Sequence, residues 1–552
     1  MIPPSEIDPT DPWLREAQTF PDLLPEMMRR VAAYGEEEGF AEDTLLFERG
    51  QRSIDFFLLI AGEIEIFATS ARSGRSTLYT YRPGQFSGEL NLFNSRQVLL
   101  SGLAKAGTRV FRVKNADFRN MISGEPDIGE IVMRAFILRR VGFIRHSQGG
   151  VLLVGHRHGA DFMRLQRFMT RNGYPLEIVD VEFDDGASGL LQRFALGAAD
   201  LPVVIAPDGS TLLNPSNAAL ADRLGLMEAP EEGVVYDVAV VGAGPSGLAA
   251  AVSAASEGLR TIVVESLAPG GQAGTSSKIE NYLGFPTGIS GQGLAGRAHI
   301  QAQKFGARLA VSRSAVSLDC SDHPLRLELD EGLALRARAV VVATGARYRK
   351  LDLPDYDKYE GQGIQYAATQ MEAQVCSGED VVVVGGGNSA GQAAMFLSRT
   401  ARHVHMLVRN DLSATMSDYL VQRILSSPRI TVHTRTAITA LHGDDDLRAV
   451  TWTNHATGEE ARVDVGSIFV MIGAEPNTEW LRGCLDLDRK GFVRTGADGA
   501  GKPLASPYAT TLPGIFAVGD VRSGSVKRVA SAVGEGSVVV QAIHAFLHPE
   551  PV

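Results

Sequence analysis

Residues 236–266 read "YDVAVVGAGPSGLAAAVSAASEGLRTIVVES", and this stretch decides the fold. An apolar run from Tyr236 meets a glycine turn, an alanine-rich helical stretch follows, and a second apolar run closes on Glu265. Apolar runs without polar alternation read as strands buried on both faces, the habit of a parallel sheet. In Gly242-Ala243-Gly244-Pro245-Ser246-Gly247 the first glycine permits the tight bend, Gly244 lets the backbone approach a pyrophosphate, and Gly247 lets helix and strand pack closely. Glu265 falls where a carboxylate accepts from the ribose hydroxyl of a dinucleotide.

Residues 381–409 repeat the pattern: "VVVVGGGNSAGQAAMFLSRTARHVHMLVR". Gly385, Gly387 and Ala390 take the three small positions, with Gly386, Asn388 and Ser389 completing the turn. This strand ends on Val408-Arg409 instead of a carboxylate. A neutral or basic residue there admits a 2′-phosphate, so NADPH is favoured and NADH is the second choice. Two such sites in one chain are a device for passing hydride between a nicotinamide and a flavin.

The chain has 552 residues, 59 of them glycine, and is 44% apolar, which gives room for three or four domains of a glycine-punctuated α/β protein. A net charge of −11 sets nucleic acid aside as a partner. The acidic N-terminus does not read as a secretory signal. Residues 232–264 are apolar, but Asp237, Pro245, Glu257 and Arg260 interrupt them, so no membrane span is expected and a cytoplasmic location is. Cys320, Cys376 and Cys484 form no CxxC, and no disulfide framework is expected.

Upstream, "DTLLFERGQRSIDFFLLIAGEIEIFA" (43–68) alternates apolar and polar residues around Gly50 and Gly62, as short antiparallel strands do. Strand-like pieces at 76–82 and 108–113 and a helical stretch, Ile128 to Phe143, follow. This region resembles the cyclic nucleotide-binding domain, a β-roll closed by helices. Within "GQFSGELNLFNSRQVLLSG" (84–102), Gly88, Glu89 and Leu90 match the start of that family's phosphate cassette. The resemblance places an arginine on the phosphate about ten positions on; Val98 and Leu99 stand there, and Arg96 comes two positions early. The reading is a cassette for no ordinary cyclic nucleotide, with docking or dimerisation as its other use.

Residues 148–228 read strand (Val151–Val154), helix (Asp161–Arg171), strand (Leu176–Glu182), helix (Ser188–Leu196) and a hairpin turning at Asp208-Gly209. They resemble the thioredoxin fold, with Pro202 at its cis-proline position. His156 and His158 replace the active thiols without a cysteine or carboxylate beside them, so a polar loop is read there and no metal site is expected.

From about 235 to 547 the chain resembles the low-molecular-weight thioredoxin reductases. Gly270-Gly271-Gln272 and "IENYLGFP" with Asn281 match the isoalloxazine-side loop; "VVVATGA", with Thr344 and Gly345, matches the strand re-entering the flavin domain. "GIFAVGD", ending at Gly519-Asp520, matches the strand whose aspartate meets the ribityl chain, and Lys527-Arg528-Val529 fall beside the ring. The resemblance implies FAD at the first turn, NAD(P)H at the second and a homodimer. The expected fold is α/β: two Rossmann-like dinucleotide-binding domains behind a β-roll and a small thioredoxin-like domain. The bounds are 1–147, 148–228, 235–350 and 479–552 for FAD, and 351–478 for NAD(P)H, with connections near Leu351–Gly363 and Gly473–Asn477.

Where the thioredoxin reductase pattern reads Cys-Ala-Thr-Cys, this chain reads Ala367-Ala368-Thr369-Gln370. A glutamine amide hydrogen-bonds but carries no electrons, so no catalytic residue is assigned with certainty. Of the arginines that surround the 2′-phosphate in that family, Arg409 alone remains. The leading expectation is an NAD(P)H-dependent flavoprotein oxidoreductase passing electrons from FAD to a protein such as a ferredoxin, to a quinone or to oxygen. Two alternatives stand beside it: a flavin-binding sensor or scaffold regulated through the β-roll, and a thioredoxin-disulfide reductase with thiols supplied from elsewhere.

Overall fold

The computed structural model describes residues 11–549 apart from 71–73, 95, 207, 277, 361–362, 367, 369, 445 and 482. The chain forms two compact units: Met1–Glu231 with Glu265–Ala268 and Ile300–Arg313, and the remainder.

The first unit opens as a roll of two antiparallel sheets. Strand Phe56–Ala61 is buried on both faces, against the alternation read from sequence. The roll's core is aromatic: Phe118 lies 5.4 Å from Phe56, 5.1 Å from Phe93 and 6.1 Å from Phe136, ring centre to ring centre. Such contacts add to the area burial of large rings. Helix α1 (Pro126–Arg145) closes the roll and brings in the buried Arg139, which donates to the carbonyls of Thr19 and Gly88, each at 2.9 Å.

In the same unit Val151–Gly155 runs parallel to Leu176–Asp180 and antiparallel to Val203–Ile205, which turns back as Thr211–Leu213. The Leu201–Pro202 peptide is cis. The segment Ile300–Arg313 joins this unit through polar contacts: the buried Arg313 pairs with Asp222 at 2.8 Å, and Gln303 donates to Glu228 at 2.9 Å.

The second unit is built on β1 (Val235–Val241), helix α2 (Pro245–Ser256), β2 (Thr261–Glu265) and β3 (Ala334–Val342). β1 lies between β2 and β3, parallel to both. The first half of β3 pairs antiparallel with Leu325–Leu329, and its last residues, Val340–Val342, pair parallel with Ile515–Ala517. Val238–Val241 and Thr261–Val264 are buried, as parallel strands covered on both faces must be.

Inserted in this frame is a parallel sheet with β4 (Asp380–Val384) beside β5 (His403–Val408) and β6 (Ser467–Val470), and helix α3 (Asn388–Leu397) after β4. The chain leaves through Ala346–Tyr348 and returns through Ala474–Pro476, and these two pieces pair antiparallel. The two crossing strands satisfy one another's backbone there.

Helix α4 (Val529–Leu547) ends the fold. Among the described residues it is the one helix long and apolar enough to cross a membrane by length and composition. Its buried residues include Gly536, Val539, Val540 and Ile543, and α4 packs on α2 so closely that a Cβ on Gly536 would stand 2.1 Å from the Ser246 carbonyl oxygen. The expectation of no disulfide is corrected here. Cys320 and Cys484 are bonded, with Cα atoms 6.2 Å apart, and Cys376 is the free thiol. A separation of 164 residues hides such a pair from any reading of local spacing.

Candidate active site

The turns after β1, β3 and Ile515–Ala517 lie at one edge of one sheet, the C-terminal ends of parallel strands where open α/β folds bind ligands. Gly242 donates to Val264 O at 2.8 Å and Ala343 donates to Val241 O at 2.8 Å, which ties the first two turns to the strands. Gly242 has φ +106°, and a Cβ there would meet the Ala343 carbonyl oxygen at 2.4 Å, so no larger residue fits. Gly244 caps α2, Pro245 takes the first helical position, and Ser246 and Gly247 are buried behind it. In front of Gly244 the space is open: the nearest atom to a Cβ there is the Gly271 Cα at 4.0 Å. An unobstructed N-terminus on a helix of this length suits a pyrophosphate.

The second loop meets the first where Gly270 donates to Ala243 O at 2.7 Å, and Gln272 donates its amide to the Ala346 carbonyl. Asn281 is exposed beside Glu280, which pairs with Lys278 at 3.0 Å and with Arg423 at 3.4 Å. Glu265 ends β2 and accepts the N–H groups of Leu267 and Ala268 at 2.9 and 3.3 Å.

Sequence reasoning missed two buttresses. Asn477, just beyond the return connection, donates to Thr344 O at 2.9 Å, and its own carbonyl accepts from the Thr344 hydroxyl at 2.8 Å; its N–H donates to Gly345 O at 3.2 Å. Glu535, buried on α4, accepts the Gly519 N–H at 2.6 Å and pairs with Arg522 at 2.6 Å. Burial, with Glu535 nearby, pushes the Asp520 carboxyl above its ordinary range, while Lys527 opposes. Lys527 Nζ also donates to Asp520 O at 3.0 Å, and the exposed Arg528 caps α4, whose first residue is Val529.

The second turn repeats the geometry. Gly385 has φ +138°, and a Cβ there would stand 2.3 Å from Met471 O; Gly387 caps α3 with open space before it. The segment after β5 supports the turn, since the Thr415 hydroxyl donates to Gly386 O at 2.9 Å and the Ser417 N–H donates to Asn388 Oδ1 at 2.8 Å. Ser389 is exposed, and so is Arg409 at the end of β5.

The profile of the pyridine nucleotide-disulphide oxidoreductases matches residues 236–536, more than half of the chain. The chain belongs to this family. Membership implies a flavin and a nicotinamide cofactor, and the two open cradles fit such groups. The cyclic nucleotide-binding domain profile matches residues 37–125. A thioredoxin reductase of Streptomyces clavuligerus is 34% identical over 55% of this chain and 91% of its own. A protein of Bacillus subtilis strain 168 named NADH dehydrogenase is 32% identical over 55% of this chain and 57% of its own. The solved Lactococcus lactis thioredoxin reductase in its FR conformation superposes with a TM-score of 0.52 at 28% identity, covering 56% of this chain and 99% of that one.

Within this oxidoreductase the segment ahead of β4 holds no exposed thiol among the described residues. Ala367 lies outside them; Ala368 is buried, and Gln370 begins the helix Gln370–Val375. Cys376 is fully buried among Val383, Ala390 and Phe469, donates to Glu372 O at 3.2 Å, and burial pushes its thiol up to about 11. A thiol so protonated is a poor nucleophile.

In the β-roll, Gly88 and Glu89 lead into the short turn Leu90–Phe93. The buried Glu89 already accepts the Leu99 N–H at 3.2 Å and lies 3.5 Å from Arg140, so its partners are not Arg96. A Cβ on Gly88 would meet Leu92 at 2.6 Å and Phe136 at 2.9 Å, side chains of the roll itself. Arg96 stands in the field of Glu228, and burial lowers its basicity to about 10.

Proposed function

We propose that this oxidoreductase takes hydride from NAD(P)H onto FAD and delivers the electrons straight to an external acceptor, with no dithiol in the path between them. The observation that carries the reading is the pairing of two intact nucleotide turns with a chain whose cysteines stand nowhere near a CxxC. When bound, FAD supplies a two-electron store that discharges in one or two steps. On this reading Gly244 and the start of α2 hold the pyrophosphate, Glu265 takes the ribose, and Asp520 orients the ribityl chain. Gly271 and Gln272, with Asn281, line the ring side, Thr344 and Gly345 close the base, and Lys527, Arg528 and Val529 flank it. Gly385, Gly386, Gly387, Asn388 and Ser389 hold the nicotinamide nucleotide. Arg409, exposed at a strand end without a carboxylate, supports NADPH over NADH.

The acceptor is a one-electron protein such as a ferredoxin, or a quinone or oxygen. One relative carries the name NADH dehydrogenase rather than thioredoxin reductase, which is in keeping with this reading. The reading includes a homodimer in the cytoplasm, from the resemblance to thioredoxin reductases and the acidic composition. A steady-state screen with ferredoxin, quinones and oxygen, beside a coupled thioredoxin assay, tests it. Turnover with one of the first three and none with thioredoxin supports it; thioredoxin reduction overturns it.

The β-roll favours docking over nucleotide sensing, because Glu89 is engaged by Leu99 and Arg140. Added cyclic AMP or cyclic GMP is expected to leave turnover unchanged.

A further inference from the structure

The three cysteines differ in kind. Cys376 is sealed in a core, whereas Cys320 and Cys484 are half-buried at the rim of another, beside Leu318, Leu481 and Leu485. Their Cα atoms stand 6.2 Å apart, inside the range a disulfide spans without moving the backbone. Cys320 follows the strand Ala315–Asp319 in the first part of the flavin domain. Cys484 follows the turn Glu479–Leu481 in the second part, and the separation of 164 positions between them spans the whole inserted domain. The return connection is thus pinned twice: Asn477 by hydrogen bonds to Thr344 and Gly345, then Cys484 by its sulfur.

We propose that Cys320 and Cys484 are a reversible redox staple that fastens the two halves of the flavin domain across the base of the insertion. The step balances with a low-molecular-weight disulfide as oxidant. One protein thiolate attacks the disulfide and expels a thiolate, and the second protein thiolate displaces the other half. Two protein thiols become one disulfide, the small disulfide becomes two thiols, and the two protons pass to them. Closing so long a loop restricts the unfolded chain more than the folded one. The staple does not depend on which acceptor the flavin serves.

The test equilibrates the full chain with its flavin in oxidised or reduced glutathione, alkylates free thiols, and maps the peptides by mass. Oxidised glutathione is expected to leave Cys376 as the free thiol of the three and to yield one linked mass containing Cys320 and Cys484. The thermal midpoint is expected to rise by about 3 °C or more on oxidation. The rise is expected to vanish in C320S and C484S and to persist in C376S. Three alkylatable thiols after oxidation, separate glutathione adducts on the two cysteines, or equal midpoints overturn the proposal. The wild-type comparison alone decides if a serine variant fails to fold.

Discussion

Glu535 accepts the Gly519 N–H at 2.6 Å with one carboxylate oxygen and holds Arg522 at 2.6 Å with the other. The turn carrying Asp520 therefore rests on a carboxylate 16 positions further along the chain. Glu535→Ala strands a buried N–H and a guanidinium, a loss of about 2–3 kcal/mol. It is expected to weaken flavin retention by about 10- to 100-fold, read as the flavin-to-protein absorbance ratio after dialysis. Glu535→Gln, which still accepts one hydrogen bond, is expected to fall between.

The two turns separate by substitution. Gly242→Ala sets a Cβ 2.4 Å from a carbonyl and is expected to yield flavin-free protein. Gly385→Ala makes the equivalent clash with Met471 O at 2.3 Å and is expected to keep its flavin while losing reduction by either nicotinamide. Absorbance spectra before and after nicotinamide addition distinguish the two.

A histidine cluster sets a pH dependence of stability. His405 Nδ1 lies 3.2 Å from His433 Nε2, with His403 and Trp452 against the same rings. Burial, then repulsion from His403 and His433, lowers His405 to about 4, and burial lowers His433 as well; the Asp380 charge opposes at His405. The unfolded chain binds the extra protons first, so this stability is complete above pH ~6.5 and is lost as pH falls toward ~4. A loss on the order of 2 kcal/mol is expected across that window in urea titrations. His405→Asn is expected to flatten it.

The glycine turns were legible because a positive φ or a close carbonyl admits one residue type, and that demand is written at the position itself. The strands were legible because burial on both faces leaves runs such as Val238–Val241, Ile262–Val264 and Val381–Val384 without a polar residue. Glu535 and Asn477 were not, since each acts on backbone 16 and 133 residues away, and nothing near either marks the partner. The bond between Cys320 and Cys484 was hidden for the same reason. The pairing of Ala346–Tyr348 with Ala474–Pro476 is not written locally, because the partner arrives only after the whole inserted domain. The Glu89 cassette start was visible, but its engagement by Leu99 depends on the folded loop.

Cys376→Ser is expected to leave turnover with small acceptors within about twofold. The cost is about 1 kcal/mol of stability from replacing a buried thiol by a hydroxyl. A loss of turnover at unchanged flavin content would assign the thiol a redox role.

The most direct measurement is anaerobic stopped-flow reduction of the purified flavoprotein by NADPH and by NADH, with the flavin absorbance followed in time. Rapid bleaching by at least one nicotinamide, with two electrons taken up per flavin while the Cys320–Cys484 bond stays closed, is the predicted result. A colourless protein that flavin does not reconstitute, a flavin that neither nicotinamide reduces, or opening of the Cys320–Cys484 bond by electrons from the reduced flavin would contradict the account.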